Sequence, residues 1–144
     1  MNLVVISVEI IILLACAAFF SGTETAVTAI TRLEYRSLKK SSRKSAQRLA
    51  RLVEMKDKIV TTALIGTNFV NTLNSGLITA FTLNAFGAQA VPAATAVITV
   101  LIIILAEIFP KALATERAES IGKKASLPLY VCYTLLRPIV ALFS

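Results

Sequence analysis

Apolar and polar positions divide the chain into long apolar blocks around one basic stretch. Residues 3–20 carry a single charge, Glu9, and residues 59–106 carry none. A helix rises 1.5 Å per residue, so about 20 apolar residues cross the hydrocarbon core of a bilayer. The first block predicts a spanning helix over about 3–28. The second, 48 residues long, is too long for one crossing and sufficient for two. Asn84, Gly87 and Pro92 punctuate it, which predicts helices over about 59–83 and 92–108 with a turn between. Residues 111–124 are polar and mixed in charge, and 126–144 are apolar but interrupted by Pro128, Arg137 and Pro138. With Tyr130 and Tyr133 suited to headgroup depth, this last stretch predicts an interfacial segment rather than a fourth span. The predicted fold class is an all-α membrane protein. It has three transmembrane helices and a C-terminal juxtamembrane segment over 111–144, in a single transmembrane domain.

Between the first two spans, residues 31–58 have a different pattern. Ser41-Ser42 interrupts the run and can cap a following helix. Ala46, Leu49, Leu52 and Val53 then recur at helical spacing among basic residues, predicting a basic amphipathic helix at the membrane surface.

Composition sharpens this picture. Of the 144 residues, 56% are hydrophobic and 16% charged, below the roughly 25% charged of an ordinary soluble domain. The formal charge of +7 invites a nucleic-acid partner, but residues 31–58 hold ten basic residues against three acidic and account for the whole excess. No nucleic-acid partner is expected. The basic stretch instead orients the chain, because cytoplasmic loops are rich in Lys and Arg. The N-terminus is then outside, 31–58 inside, the turn near 84–92 outside and 111–124 inside, with the C-terminus cytoplasmic in the cell membrane. A signal peptide is disfavoured because no basic residue precedes Arg32. No soluble domain follows the last apolar stretch, and we expect a piece of a longer protein.

A polar group in hydrocarbon is costly unless paired, so three clusters stand out. Ser21-Gly22-Thr23-Glu24-Thr25 lies at the inner end of the first span. Asn68, Asn71 and Ser75 share one face of the second, beside Asn74. Glu107 precedes Pro110, whose missing N–H and ring displace the carbonyl of Ala106 and break the helix beside a carboxylate. Each has a structural alternative: a helix end emerging into water, hydrogen bonding between helices, or a Glu107–Lys111 pair. Glu9, near the outer end of the first span, is a fourth isolated charge. Together the clusters supply carboxylate, amide, hydroxyl and carbonyl oxygens. There is no His, and Cys16 and Cys132 are far apart in sequence. A hard cation such as magnesium, calcium or sodium fits this donor set, and zinc, copper or iron does not. No enzyme is expected, since no nucleophile lies beside a base.

These residues resemble the transmembrane domain of the cyclin M/CorC magnesium transporter family. The likeness rests on Phe20-Ser21-Gly22-Thr23-Glu24-Thr25-Ala26, Ile65-Gly66-Thr67-Asn68-Phe69-Val70-Asn71 and Glu107-Ile108-Phe109-Pro110-Lys111, in order and with the basic loop between the first two. It covers nearly the whole chain. The resemblance implies three spans and a juxtamembrane helix, a homodimer, and export of Mg2+ coupled to entry of Na+. It implies a magnesium site of Ser21, Asn71 with Asn68 beside it, and Glu107; for a transporter of this kind we expect sodium to share part of the pathway, with Glu9 or Glu24 as candidates. The family's cytoplasmic nucleotide-binding modules are absent from this chain. Thr67 stands where the family often has Asn, and Ala106 where it often has Gly. A dimeric membrane anchor or magnesium sensor without flux is the alternative function.

Overall fold

The computed structural model describes residues 2–143. Helix α1 (Leu3–Ala29) starts on the side chain of Asn2, whose Oδ1 accepts from the Val4 N–H at 3.0 Å. The basic stretch folds as two helices, α2 (Arg32–Lys40) and α3 (Lys44–Glu54), separated at Ser41-Ser42. Thr31 and Glu34 form a reciprocal capping box on α2, at 3.2 and 2.8 Å. The expected serine cap on α3 is not made: Arg43 occupies that position, and Ser41 Oγ accepts only the Arg43 N–H, at 3.2 Å. Ala46, Leu49, Ala50 and Leu52 form the buried face of α3.

Met55 separates α3 from α4 (Lys56–Phe86), which ends at Gly87 in the left-handed region at φ 85°, where a Cβ would be strained. A single 3-10 turn (Ala88–Ala90) leads into α5 (Val91–Leu101), with Pro92 in its first turn. A π-wound segment (Ile102–Ile108) then passes into α6 (Phe109–Glu116), and α7 (Ala118–Phe143) follows one residue later. Helix boundaries thus match the expected spans within a few residues at the first two, but not at the third.

Two expectations are corrected. Pro110 does not break the third helix, which continues to Glu116. The winding ahead of it widens instead, so that the Phe109 N–H reaches the Ile104 carbonyl, five residues back. Pro110 then falls in the first turn of α6, where its missing N–H is tolerated. Residues 111–116 accordingly continue this helix. Nor do Pro128 and Pro138 interrupt α7, which is one helix of 26 residues.

By length and composition, three helices are long and apolar enough to cross a membrane: Leu3–Ala29, Ala88–Glu116 and Ala118–Phe143. The 31-residue α4 is not among them, because Asn68, Asn71, Asn74 and several threonines dilute its apolar residues.

Two larger clusters organise the core, with a smaller one of Ala26, Ala114 and Ala118 beside them. At the end carrying α2 and α3, Val27, Leu38, Leu49, Leu52 and Ile59 pack with Leu129, Tyr133 and Val140 of α7. Farther along the bundle, Ala17, Val70, Ile98, Ile102 and Ala106 join α1, α4, α5 and the π segment. α7 keeps to the first level over most of its length. Leu49 lies against Gly122, Arg48 donates to Ser126 Oγ at 3.4 Å, and Arg137 lines a cavity with Asp57 and Lys58. Between α2 and α3 the Tyr35 hydroxyl donates to Glu54, and Lys39 lies 3.7 Å from the same carboxylate. The tyrosine's hydrogen bond, then Lys39, holds the Glu54 carboxyl below its usual range.

Glycine sets how closely α1 and α4 approach. A Cβ on Gly66 would lie 2.7–2.8 Å from the ring carbons of Phe20. Gly66→Ala is therefore expected to lower stability by about 1–3 kcal/mol, read as a drop in thermal unfolding temperature. A second change, Phe20→Leu, should recover part of the loss. Purely additive costs would show that the ring is not the obstacle.

Candidate functional site

The hydroxyls of the first motif mostly serve their own helix. Thr23 donates to the Phe19 carbonyl at 2.7 Å, Thr25 to Ser21 at 3.0 Å and Thr28 to Glu24 at 3.1 Å. Because α1 runs unbroken through Gly22, these are back-bonds within an intact helix rather than repairs of a broken one. Ser21 is different: it is 2% exposed, and its Oγ has no hydrogen-bond partner.

The second motif shows the same contrast. Thr62 and Thr79 bond back to Lys58 and Ser75, each at 2.8 Å. Asn71 Oδ1 is buried and unpartnered, and Asn74 is 0% exposed with neither Oδ1 nor Nδ2 bonded. Asn68 is exposed. Among the described residues no asparagine of α4 hydrogen-bonds to another helix, so interhelical bonding does not account for them.

Glu107 lies half-buried in the π segment. It forms no ion pair with Lys111; among the described residues only Lys39–Glu54 and Glu119–Lys123 pair. The structure therefore removes the simplest structural role for this carboxylate. Glu9 is exposed on α1, and Glu24 is half-buried one turn beyond Ser21.

Two contacts bring the three motifs together. The Phe20 ring covers Gly66, and Pro110 lies against Gly22, within 3.5–3.6 Å of where a Cβ would stand. Ser21 sits between those two contact residues in sequence. Ala17, Val70 and Ala106 share one buried cluster, and the latter two directly precede Asn71 and Glu107. Antiparallel packing of α4 on α1, with Phe20 level with Gly66, places Asn71 about 9 Å farther along the bundle than Ser21 at 1.5 Å per residue. Asn74 lies one turn beyond. No hydrogen bond links any two of Ser21, Asn68, Asn71 and Glu107. The large groove beside Gly22 and Pro110 is apolar and does not include them.

An unpartnered buried polar atom costs roughly 1–3 kcal/mol, and four occur here on Ser21, Asn71 and Asn74. Among the described residues no three of His, Cys, Asp and Glu come together. Any cation held here would meet one carboxylate and neutral oxygens. Asn74 is the residue that motif reasoning underweighted.

The fold and these buried groups define a helical membrane protein with unpartnered polar atoms in its interior. Residues 8–144 match the family described as the cyclin M transmembrane N-terminal domain, and the chain belongs to that family. It is 33% identical over 128 residues to the UPF0053 inner membrane protein YfjD of Escherichia coli (strain K12), covering 89% of this chain and 30% of that protein. It is 30% identical over 147 residues to the UPF0053 protein of Haemophilus influenzae, covering 100% of this chain and 35% of that protein. A DUF21 domain-containing chloroplastic protein of Arabidopsis thaliana is 34% identical over 129 residues, covering 89% of this chain and 19% of that protein. The chain spans about a third or less of the length of these curated relatives.

Proposed function

We propose that this domain moves Mg2+ across the cell membrane, as export driven by Na+ entry, and works as a homodimer. The observation that carries this reading is the set of buried oxygens without partners, on Ser21, Asn71 and Asn74, at helices meeting the one that bears Glu107. Glu107 supplies the single full charge, Ser21 a hydroxyl and Asn71 an amide oxygen, Asn74 stands one turn farther along the path, and Asn68 lies at the outward rim. With one carboxylate against a divalent ion, the site stays net positive when loaded. The ion therefore keeps part of its hydration shell, as magnesium does readily, and is released easily enough for transport. The π winding supports this chemistry, since it shifts the backbone carbonyls around Glu107 out of α-helical register.

In this reading α1, α4 and the helix from α5 to α6 span the bilayer. The basic layer of α2 and α3 faces the cytoplasm, the N-terminus lies outside and the C-terminus inside. α7 runs along the cytoplasmic interface, which its packing against α3 and the start of α4 supports. No catalytic step is part of this function.

The test uses vesicles that hold the protein and a magnesium-sensitive dye. Magnesium flux above protein-free vesicles is expected, and it should rise with an opposing sodium gradient. Magnesium binding without flux would favour a sensor or anchor. Neither binding nor flux would sink the proposal.

A further inference from the structure

A groove runs beside the N-terminal half of α7. An apolar groove of about 700 Å³ opens between α1, the π segment, α6 and α7, with Ala15, Phe19, Leu105, Phe109, Leu113 and Pro128 among its walls. That volume falls in the roughly 300–1,000 Å³ range of ligand sites. It follows α1 from Thr23 to Ala15, about 12 Å at 1.5 Å per residue. At its α7 end stands Lys124, which also borders a polar cavity of about 580 Å³ lined by Arg43, Ser45, Glu119, Ser120 and Lys123. Lys123 is neutralised by Glu119 at 3.0 Å. Arg43 and Lys124 form no ion pair among the described residues, so two free cations and two serine hydroxyls face the polar cavity. One side chain thus joins an apolar groove along a spanning helix to a cationic cavity in the α2–α3 layer.

We propose that this composite groove holds one anionic phospholipid, with an acyl chain along α1 and the phosphate between Lys124 and Arg43. Charge complementarity selects the occupant. Lipid tails are as apolar as the groove's own side chains, so burying a chain there offers little preference over the surrounding bilayer. Selectivity must come from the head, where two unpaired cations favour an anionic group. The lipid would bridge α1, α3, α6 and α7, tying the interfacial helix to the spanning ones. The site needs only the membrane placement proposed above, not the magnesium reading, and its test requires no transport.

The experiment reconstitutes the full chain in phosphatidylcholine bilayers containing a minor fraction of phosphatidylglycerol. Lipid retained on the protein is then counted by native mass spectrometry after extraction. Phosphatidylglycerol should be enriched over its bulk share. Lys124→Gln and Arg43→Gln should each lower that enrichment about fivefold. Arg36→Gln, a cation of α2 outside the cavity, should leave it unchanged. Ala15→Trp should fill the groove and abolish retention with both cations in place. The proposal is overturned if the parent shows no enrichment, or if Arg36→Gln acts as strongly as Lys124→Gln, which would mean diffuse surface charge. It is equally overturned if Ala15→Trp retains the lipid, or if that change instead dissociates a dimer, which would make a second copy the occupant.

Discussion

Glu107→Ala is expected to cut magnesium flux in vesicles about 100-fold or more while leaving thermal stability unchanged. The size follows from the charge count. Among the candidate residues Glu107 is the only carboxylate, so its loss leaves a divalent cation facing neutral oxygens inside the bundle. Removing one partner of a buried charge pair costs about 3–5 kcal/mol, enough to empty the site at working concentrations. Glu107→Gln keeps the shape and one oxygen but not the charge, and should lose nearly as much. Glu107→Asp keeps the charge on a shorter stem and should retain part of the flux. Stability should be indifferent because the carboxylate has no ion-pair partner among the described residues. A Glu107→Ala protein that transports within about threefold of its parent would remove this carboxylate from the ion path. One that unfolds would show that Glu107 is a structural residue.

Much of the architecture was legible in charge placement. Runs with one charge or none marked α1, α4 and α5, and the basic stretch marked α2 and α3, because a charge in hydrocarbon is too costly to be placed casually. Prolines were misleading. An interior proline costs about 3 kcal/mol in an isolated helix, which argued for breaks at Pro110 and in the last segment. Neighbouring packing outweighs that local cost. Pro110 lies against Gly22, with the winding relaxed ahead of it. α7 is held between and beyond its prolines by Leu129, Tyr133 and Val140 in the α3 cluster. The three motifs were legible as polar intrusions, and the structure shows why they belong together, through Phe20 on Gly66 and Pro110 on Gly22. Which asparagines point inward was not legible. Asn68, Asn71 and Asn74 are chemically identical and three residues apart, and only packing against α1 and α5 distinguishes the exposed one from the buried ones.

That distinction makes Asn74 the sharpest test of function against packing. Asn74→Leu is expected to abolish most magnesium flux, about tenfold or more, while leaving the unfolding temperature equal to the parent's or higher. The two effects have one cause. Asn74 is 0% exposed with an amide that bonds to nothing, so in the empty protein it carries a desolvation penalty of about 1–3 kcal/mol. Leucine has a similar size and no polar group, and replacing an unsatisfied amide by an apolar side chain of like shape is neutral or stabilising. An ion or its hydration water passing through the site would meet the Asn74 oxygen, and leucine would remove that ligand and dry the passage. Asn74→Asp gives the complementary arm: a second carboxylate along the path should bind magnesium more tightly and slow its release, lowering turnover while raising affinity. If Asn74→Leu instead lowers stability by several degrees, the amide has a partner in the assembled membrane protein and serves packing. If it leaves both flux and stability intact, the ion site ends at Asn71, and the buried amide of Asn74 needs another explanation.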